Sequence, residues 1–411
     1  MTDWPATVIW WHVYPLGFVG AEPHLSDCAP GQVHHRLDHL VGWLDYVVEL
    51  GCNGLFLGPI FASTSHGYDT LDHNRIDPRL GDDADFAALI NEAKTRGIRL
   101  LLDGVFNHVS RDHEIAQRAL AGGPDSEAGR WVRWVDGYVR VFEGNADLVE
   151  LDLDHPPVAD DVVNVMTHWL GRGVDGWRLD AAYSAGAAPW KPIVERVRAA
   201  YPDCWVLGEV IQDDYVAFVR ESGVDSVTQY ELWKATWSSL NDANLHELAW
   251  SLKRHSEFQE HFRPQTFIGN HDVTRIATKL ADPRHMGHAV ALLLLVPGIP
   301  SIYAGDEQGF TGEKLDQPRG DDSVRPPFPE TPEGLLPFGA KILELYRRVI
   351  GLRRRNPWLV DATVTTRRVT NEAIVLDLHG DGQRLTLALN VADKPLKVGG
   401  KRIRPHDWAA W

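Results

Sequence analysis

Three acidic residues each follow a short apolar run of the kind that forms a buried strand. They are Asp180 after GVDGWRL, Glu209 after VLG and Asp272 after FIGNH. The stretches between them can hold helical crossovers, and the catalytic groups of a (β/α) barrel lie at the C-terminal ends of different strands. Two carboxylates that face each other across a pocket are the minimal equipment for cleaving a glycosidic bond. These residues are therefore candidates for that chemistry.

Arg178 precedes Asp180 by two positions, and residues two apart share one face of a strand. We expect both side chains to point into the barrel mouth, with Trp177 and Leu179 facing outward to the helices. A guanidinium beside a carboxylate favours its charged form, so Arg178 is expected to lower the pKa of Asp180, as a nucleophile requires. The triplet alone would also fit an ordinary ion pair at the end of a strand.

Glu209 follows Gly208, where substrate or backbone can approach closely, and has Leu207 and Val210 nearby. Such apolar surroundings suit a carboxylic acid that acts by donating a proton. A glutamate at a strand end could instead cap the following helix.

The elements that must position these groups alternate along the chain. Strands are predicted at 8–14, 53–57, 98–103, 175–180, 204–209, 225–230, 265–270 and 299–303. Amphipathic helices are predicted at 36–50, 85–96, 159–171, 190–200, 213–220, 243–255, 284–296 and 339–355. The alternation predicts an α/β protein with a TIM (β/α)8 barrel and a short insertion after the third strand, at about 109–158. Short alternating runs after this barrel predict a small C-terminal antiparallel β domain, so that the domains are 1–355 and 356–411.

Composition argues against several classes of partner. The formal net charge is −16, which disfavours nucleic acid and anionic membrane surfaces. The longest apolar run, 289–298, is too short to span a bilayer. The N-terminus lacks the basic region of a signal peptide, so we expect a cytoplasmic protein. The three cysteines show no C-x-x-C spacing and predict neither a zinc site nor a disulfide framework.

Together with the segment LLLDGVFNH (100–108), these motifs resemble the α-amylase family, glycoside hydrolase family 13. The resemblance implies a retaining glycosidase in which Asp180 is the nucleophile and Glu209 is the acid and base. It implies that Asp272 is a third carboxylate, which binds substrate hydroxyls, and that Asp103 is a structural residue near the scissile bond.

The same resemblance implies a set of substrate-binding residues. His108 and His271 resemble the two histidines that hydrogen-bond the sugar at the cleavage point, and Asn107 is a structural neighbour. Tyr68, in a loop with Asp69, resembles the tyrosine that stacks on the same sugar.

Asp321 and Arg325, in GDDSVRPPFP, resemble the pair that holds the next sugar toward the non-reducing end. The substrate-binding residues implied in this way are Tyr68, Asp69, His108, Arg178, His271, Asp321 and Arg325.

Two segments depart from the family pattern. AAYSAG (181–186) lacks the Lys-His pair that starch-degrading α-amylases carry after the nucleophile, and VELDLDHP (149–156) does not match the sequence usual in oligosaccharide-acting members. The N-terminal β domain of many cyclomaltodextrinases and neopullulanases is expected to be absent. We therefore predict hydrolysis of short linear or cyclic malto-oligosaccharides. Transglycosylation or isomerisation of maltose, sucrose or trehalose and endo-acting hydrolysis of starch stay open as alternatives, as do monomer and homodimer.

No cofactor is predicted to be required. Many family members hold Ca²⁺ at the asparagine that corresponds to Asn107, and Ca²⁺ takes about six to eight oxygen ligands. The short insertion offers few, although it contains Asp112, Asp125, Asp136 and Asp147. The hypothesis is that Ca²⁺ is not needed.

Overall fold

The computed structural model of the protein describes residues 3–317 and 319–411. The strands within them are β1 (Trp10–Val13), β2 (Gly54–Leu57), β3 (Phe61–Ser63), β4 (Thr70–Ile76), β5 (Arg99–Gly104), β6 (His108–Ser110), β7 (Trp134–Val135), β8 (Tyr138–Val139), β9 (Leu148–Glu150), β10 (Gly176–Leu179), β11 (Trp205–Gly208), β12 (Ser226–Val227), β13 (Gln265–Phe267), β14 (Ile299–Tyr303), β15 (Thr363–Val369), β16 (Ala373–Gly380), β17 (Gln383–Asn390), β18 (Leu396–Val398), β19 (Lys401–Ile403) and β20 (Asp407–Ala410).

The α-helices of the same residues alternate with the strands up to the C-terminal region. They are α1 (Pro15–Phe18), α2 (Leu37–Val41), α3 (Leu44–Leu50), α4 (Asp83–Thr95), α5 (Glu114–Gly122), α6 (Pro156–Arg172), α7 (Ala182–Ala185), α8 (Trp190–Ala200), α9 (Tyr215–Ser222), α10 (Tyr230–Asn241), α11 (Leu245–Gln259), α12 (Ile276–Lys279), α13 (Met286–Leu295) and α14 (Ala340–Arg355).

Parallel strands form a barrel. Their order is β12-β11-β10-β5-β2-β1-β14-β13, and a parallel bridge between Thr228 and Gln265 joins the two end strands. All eight predicted strands are present, so the predicted (β/α)8 barrel is confirmed.

The barrel strands are apolar because both of their faces are covered. Trp10, Phe56, Leu101 and Trp205 form an apolar cluster inside the barrel, where the rings of Trp10 and Trp205 stack with centroids 5.8 Å apart. Trp10, Leu101 and Trp205 come from the first halves of their strands, so the cluster lies mainly below the C-terminal strand ends that carry the polar side chains. On β10, the expected alternation holds, and Trp177 belongs to the apolar core outside this cluster.

Two predicted elements differ from the structure. The helix predicted at 36–50 is two helices, α2 and α3, and the strand predicted at 225–230 contains only Ser226 and Val227. The chain turns into α10 at Tyr230 because the Gln229 side chain accepts a hydrogen bond from the Leu232 amide and caps this helix.

The insertion after the third barrel strand is tied back to the barrel rim. β6 pairs antiparallel with β9, which sets His108 opposite Glu150. The Leu151 amide then donates to the Asn107 carbonyl over 2.9 Å. The insertion therefore starts and ends beside the strand that carries Asp103.

The C-terminal strands form an antiparallel sheet in the order β15-β16-β17-β20, with a separate β18–β19 hairpin, as the sequence predicts. One face of the sheet, including Leu376 and Leu387, joins the main core, and Val375 and Ala388 pack on the other side with the hairpin. The division into domains 1–355 and 356–411 stays a prediction. Within the described part of the chain, no helix combines the length and apolar character that crossing a membrane requires.

Candidate active site

The predicted carboxylates lie at one end of the barrel. Asp103 is within β5, Asp180 directly follows β10 and Glu209 directly follows β11, while Asp272 lies in the loop after β13. Because the strands are parallel, these positions meet at the same rim. Asp180 and Glu209 are each 6% exposed, so both residues are buried at this rim.

One guanidinium contacts three of these carboxylates. Arg178 Nη1 donates to both oxygens of Asp103, over 2.8 and 2.7 Å, and to Asp180 Oδ1 over 3.0 Å. Its Nη2 is 2.6 Å from Glu209 Oε1. The register explains the arrangement, because Arg178 is directly opposite Asp103 in the neighbouring strand. Three buried carboxylates around one cation leave surplus negative charge, which favours retention of a proton by the group.

Burial raises the pKa of Asp180 well above its usual value. Arg178 lowers this pKa, but Glu209 and Asp103 raise it further, because a nearby negative charge disfavours a second anion. The expectation that Arg178 brings the pKa of Asp180 down is therefore wrong for the net shift. The guanidinium acts in the expected direction but is outweighed by burial and by the other carboxylates.

Glu209 accepts hydrogen bonds from two further parts of the chain, and one of the two donors is itself held by Asn270. Its Oε2 accepts the Ala181 amide over 2.9 Å, and its Oε1 accepts the Tyr230 hydroxyl over 3.2 Å. Asn270 Nδ2 donates to the Tyr230 oxygen over 3.1 Å. These contacts fix the orientation of the Glu209 carboxyl next to Asp180.

Asp272 is the most accessible of the predicted carboxylates, with 29% of its side chain exposed. Its Oδ2 is 2.9 Å from His271 Nε2, and its Oδ1 accepts from Arg325 Nη2 over 2.8 Å. Burial acts to raise the pKa of Asp272, but His271 and then Arg325 outweigh it and hold the pKa well below its usual value. Asp272 is therefore an anion that faces the pocket.

Aromatic rings line up beside the carboxylates. The Tyr68 and His271 rings stack with centroids 5.3 Å apart and an interplanar angle of 3°, and the Tyr14 ring also stacks with His271, with centroids 5.9 Å apart. The Tyr68 hydroxyl donates to Asp103 Oδ2 over 3.0 Å and contacts His271 Nε2. A flat ring fixed in this way can support the apolar face of a sugar.

His108 lies on the opposite wall of the pocket. Its Nε2 is 3.9 Å from Asp180 Oδ2 and has no hydrogen-bond partner among the described residues. Burial lowers the pKa of His108 to about 3, so the ring is neutral. The ring stacks on Phe142 of the insertion at 4.5 Å, and Asn107 Nδ2 lies 3.2 Å from its Nδ1. His108 can therefore offer a hydrogen bond to a ligand.

A cavity of about 610 Å³ extends from Asp272 toward Asp321 and Arg325. Arg325 Nη2 is 3.1 Å from Asp321, and Lys314 Nζ is 3.2 Å from the other oxygen of Asp321. The predicted Asp321–Arg325 pair is thus brought to the pocket. Asp69 is turned into its own loop instead, where it accepts from the Ser65 hydroxyl over 2.5 Å, and its role in binding stays a prediction.

The insertion contacts the segment that follows Asp180. Glu143, a non-glycine residue with φ of 48°, accepts a hydrogen bond from the Tyr183 hydroxyl over 2.7 Å. Tyr183 is part of AAYSAG, the segment that lacks the Lys-His pair. This contact ties α7 to the insertion beside the candidate nucleophile.

Sequence reasoning missed Tyr14, Tyr230 and Lys314. Tyr14 directly follows β1, just as Asp180 follows β10, so its position at the end of a barrel strand was a usable signal. Tyr230 lies three residues beyond β12, and Lys314 lies far from any strand end. Their approach to Glu209 and Asp321 depends on the fold alone.

The residues considered for Ca²⁺ do not gather around one point. Among the described residues, the groups of acidic, histidine and cysteine side chains close enough to hold a metal include neither Asn107 nor any aspartate of the insertion. The Asn107 carbonyl is already bonded to the Leu151 amide. The hypothesis that Ca²⁺ is not needed stays a prediction.

The protein is thus a (β/α)8 barrel with paired carboxylates at its strand ends. Paired carboxylates of this kind are used in glycoside hydrolysis. Residues 35–146 and 138–329 match the family model described as the catalytic domain of α-amylase. The chain belongs to the α-amylase family.

Individual relatives are of the same kind. The chain is 31% identical to a cyclomaltodextrinase of Geobacillus thermopakistaniensis over 75% of its length, and 28% identical to an intracellular maltogenic amylase of Bacillus subtilis over 76%. It spans 57% of the length of each of these relatives. A solved cyclic α-maltosyl-(1→6)-maltose hydrolase from Arthrobacter globiformis superposes with a TM-score of 0.85 at 25% identity, covering 100% of this chain and 98% of that one.

Proposed function

We propose that this protein is a retaining glycoside hydrolase that cleaves α-glucosidic bonds in short linear or cyclic malto-oligosaccharides. The observation that carries the proposal is the shared guanidinium of Arg178, which holds Asp180 and Glu209 on its two terminal nitrogens. With Asp103 on the same cation, the group favours one retained proton. A carboxylate beside a carboxylic acid is the state from which a retaining glycosidase starts.

In the first step the Asp180 carboxylate attacks the anomeric carbon, and the bond from that carbon to the leaving oxygen breaks. Glu209 gives its proton to the leaving oxygen. In the second step Glu209 takes a proton from water, the water oxygen attacks the anomeric carbon, and Asp180 leaves as a carboxylate. Two inversions keep the anomeric configuration.

Other side chains of the pocket hold the reacting sugar. Asp272 and His271 on one wall and His108 on the other can bind its hydroxyl groups, and Tyr68 can stack on its face. The Asp321–Arg325 pair suits the next sugar toward the non-reducing end, since it lines the cavity that continues from Asp272. These roles follow the family resemblance residue by residue.

The proposed substrate size has two supports. The names of the relatives refer to cyclic dextrins and maltose products. In this chain Tyr183, in the segment that lacks the Lys-His pair, is hydrogen-bonded to Glu143 of the insertion, and we infer that this contact limits the room for a long substrate there. A transglycosylase or isomerase, or an endo-acting α-amylase, would use the same carboxylates, so product analysis on maltose, sucrose, trehalose and starch separates these alternatives from the proposal.

Proton NMR of the first-formed product tests the mechanism. Maltotriose hydrolysis should release the α-anomer before mutarotation. Retention also requires a separation of about 5–5.5 Å between the Asp180 and Glu209 carboxyl groups, which a crystal structure measures. Initial release of the β-anomer would contradict retention. Glu195→Gln, an exposed substitution on α8, is the matched control for handling and folding.

We also propose a cytoplasmic location, which the resemblance to the intracellular maltogenic amylase supports. Fractionation of the native host with an antibody against this chain tests it. Recovery outside the cytoplasmic fraction would contradict it.

A further inference from the structure

Two histidine rings face each other where the barrel meets the C-terminal sheet. His285 immediately precedes α13 and is 5% exposed, and His406 immediately precedes β20. His285 Nε2 and His406 Nδ1 are 3.0 Å apart, and Asp282 Oδ2 is 3.9 Å from the same His406 nitrogen. The three ligand atoms therefore lie close together, and they come from two parts of the chain, the segment before α13 and the turn before β20.

The spacing matches the needs of a metal ion. Ligand atoms of a tetrahedral Zn²⁺, at bond lengths of about 2.0–2.1 Å, are about 3.3 Å from one another. Imidazole nitrogens with a carboxylate oxygen are donors that Zn²⁺ and similar divalent transition ions accept. We propose that His285, His406 and Asp282 bind such an ion, which links the barrel to the C-terminal sheet.

The surroundings of His406 support the proposal. Its second nitrogen, Nε2, is 2.8 Å from Asp393 Oδ1, and a carboxylate behind a ligating histidine fixes the ring and raises its basicity. His406 also has φ of 51°, a left-handed conformation that non-glycine residues adopt at a cost. The chain thus turns the ring toward His285 despite this cost.

One neighbour must move for the ion to enter. Arg284 Nε donates to the two oxygens of Asp282 over 3.0 and 2.9 Å, and Arg284 Nη2 donates to Oδ2 over 2.6 Å. The Arg284 side chain is 58% exposed, so it can move into solvent. A second cluster, Glu22 with Cys28 and His34, is less suited, because both oxygens of Glu22 are held by Arg36 over 2.7 and 2.8 Å and only 26% of the Arg36 side chain is exposed.

The test uses the metal-stripped full chain, titrated with ZnCl2 by calorimetry and followed by thermal unfolding. We expect one Zn²⁺ per chain and a rise in Tm, because an ion that binds only the native state stabilises it. His406→Asn, which keeps a residue that tolerates the left-handed conformation, should weaken binding at least about tenfold. His379→Asn, exposed on the same sheet, and Cys28→Ser should bind as the unchanged chain does.

Absence of stoichiometric Zn²⁺ binding, or equal affinity in His406→Asn, would overturn the proposal. Should His406→Asn fail to fold, the exposed Asp393→Asn variant replaces it, with affinity expected to fall about tenfold. Equal affinity in that variant would then overturn the proposal. Turnover of malto-oligosaccharides is a separate readout, since none of these residues contacts the carboxylates held by Arg178, so the proposed function and this site can fail independently.

Discussion

The amide of Ala181 donates a hydrogen bond to Glu209 Oε2 over 2.9 Å. Ala181 directly follows Asp180 and has φ of 45°, a conformation that non-glycine residues rarely adopt. The backbone turn that ends β10 therefore both presents Asp180 and fixes Glu209. Strained backbone conformations of this kind are concentrated at active sites.

Removal of either carboxylate should stop turnover without unfolding the protein. Asp180→Asn and Glu209→Gln should each lower kcat/KM for maltotriose at least about 10³-fold. The first substitution removes the proposed nucleophile, and the second removes the proposed acid and base. Circular dichroism should be unchanged. The matched controls are Asp203→Asn and Glu195→Gln, both exposed, and near-normal activity in Asp180→Asn would show that the nucleophile is elsewhere.

Asp180→Asn should also stabilise the protein. The pKa of Asp180 is raised in the folded state, so its ionised form, present above that pKa, opposes folding. A neutral asparagine removes this effect, and we expect the free energy of unfolding at pH 7 to rise by about 1 kcal/mol. The gain should shrink as the pH falls below the raised pKa and should vanish near the pKa of an unfolded aspartate, about 3.9, where Asp180 is neutral in both states. Denaturant titrations at several pH values measure this, and a loss of stability at pH 7 would contradict it.

The pH at which kcat/KM falls on the acid side should depend on the charge of Asp103. Asp180 must be ionised to attack, so kcat/KM should fall as the pH drops through its raised pKa. Asp103 is one of the charges that raise this pKa. Asp103→Asn should therefore move the acid limb to lower pH, in addition to lowering kcat. A pH profile of kcat/KM with Asp203→Asn as control measures the shift, and an unmoved limb would rule out this electrostatic coupling.

Tyr230 should act as a positioning residue for Glu209. Tyr230→Phe removes the hydroxyl that donates to Glu209 Oε1. We expect kcat to fall about tenfold with little change in KM, because the substrate sugar is held by other side chains. Tyr201→Phe on the barrel exterior is the control. A change confined to KM would instead assign Tyr230 to substrate binding.

Substrate size should depend on the contact between Tyr183 and Glu143. The unchanged protein should have a higher kcat/KM for maltotriose, panose and cyclodextrins than for soluble starch. Tyr183→Phe releases the insertion from α7, so the ratio of starch to maltotriose activity should rise by about threefold or more. Preference for starch in the unchanged protein would replace the proposal with an endo-acting α-amylase.

Calcium should leave the protein unaffected. When Ca²⁺ is added to the metal-stripped chain, kcat/KM and Tm should stay the same, because Ca²⁺ takes about six to eight oxygen ligands and, among the described residues, no cluster of three or more acidic, histidine or cysteine side chains includes an aspartate of the insertion. Zn²⁺ in the same unfolding assay is the positive control. Restoration of lost activity by Ca²⁺ would refute the hypothesis.

The sequence by itself determined the barrel and its catalytic candidates. Strand and helix periods are local, and residues at the ends of parallel strands must meet at one rim, so Asp180, Glu209 and Asp103 could be grouped without coordinates. Family motifs added His108 and His271 to this group.

Only the tertiary structure decided how these groups interact. The net pKa shift of Asp180 depends on its burial and on the charges of Arg178, Glu209 and Asp103 around it. These contributions cannot be read from the residues next to Asp180 in the sequence. Tyr230 reaches Glu209 because β12 is cut short and α10 begins at the rim. His285 and His406 are 121 positions apart and meet only through the docking of the C-terminal sheet. Contacts between distant segments depend on register and packing, and these are properties of the folded chain.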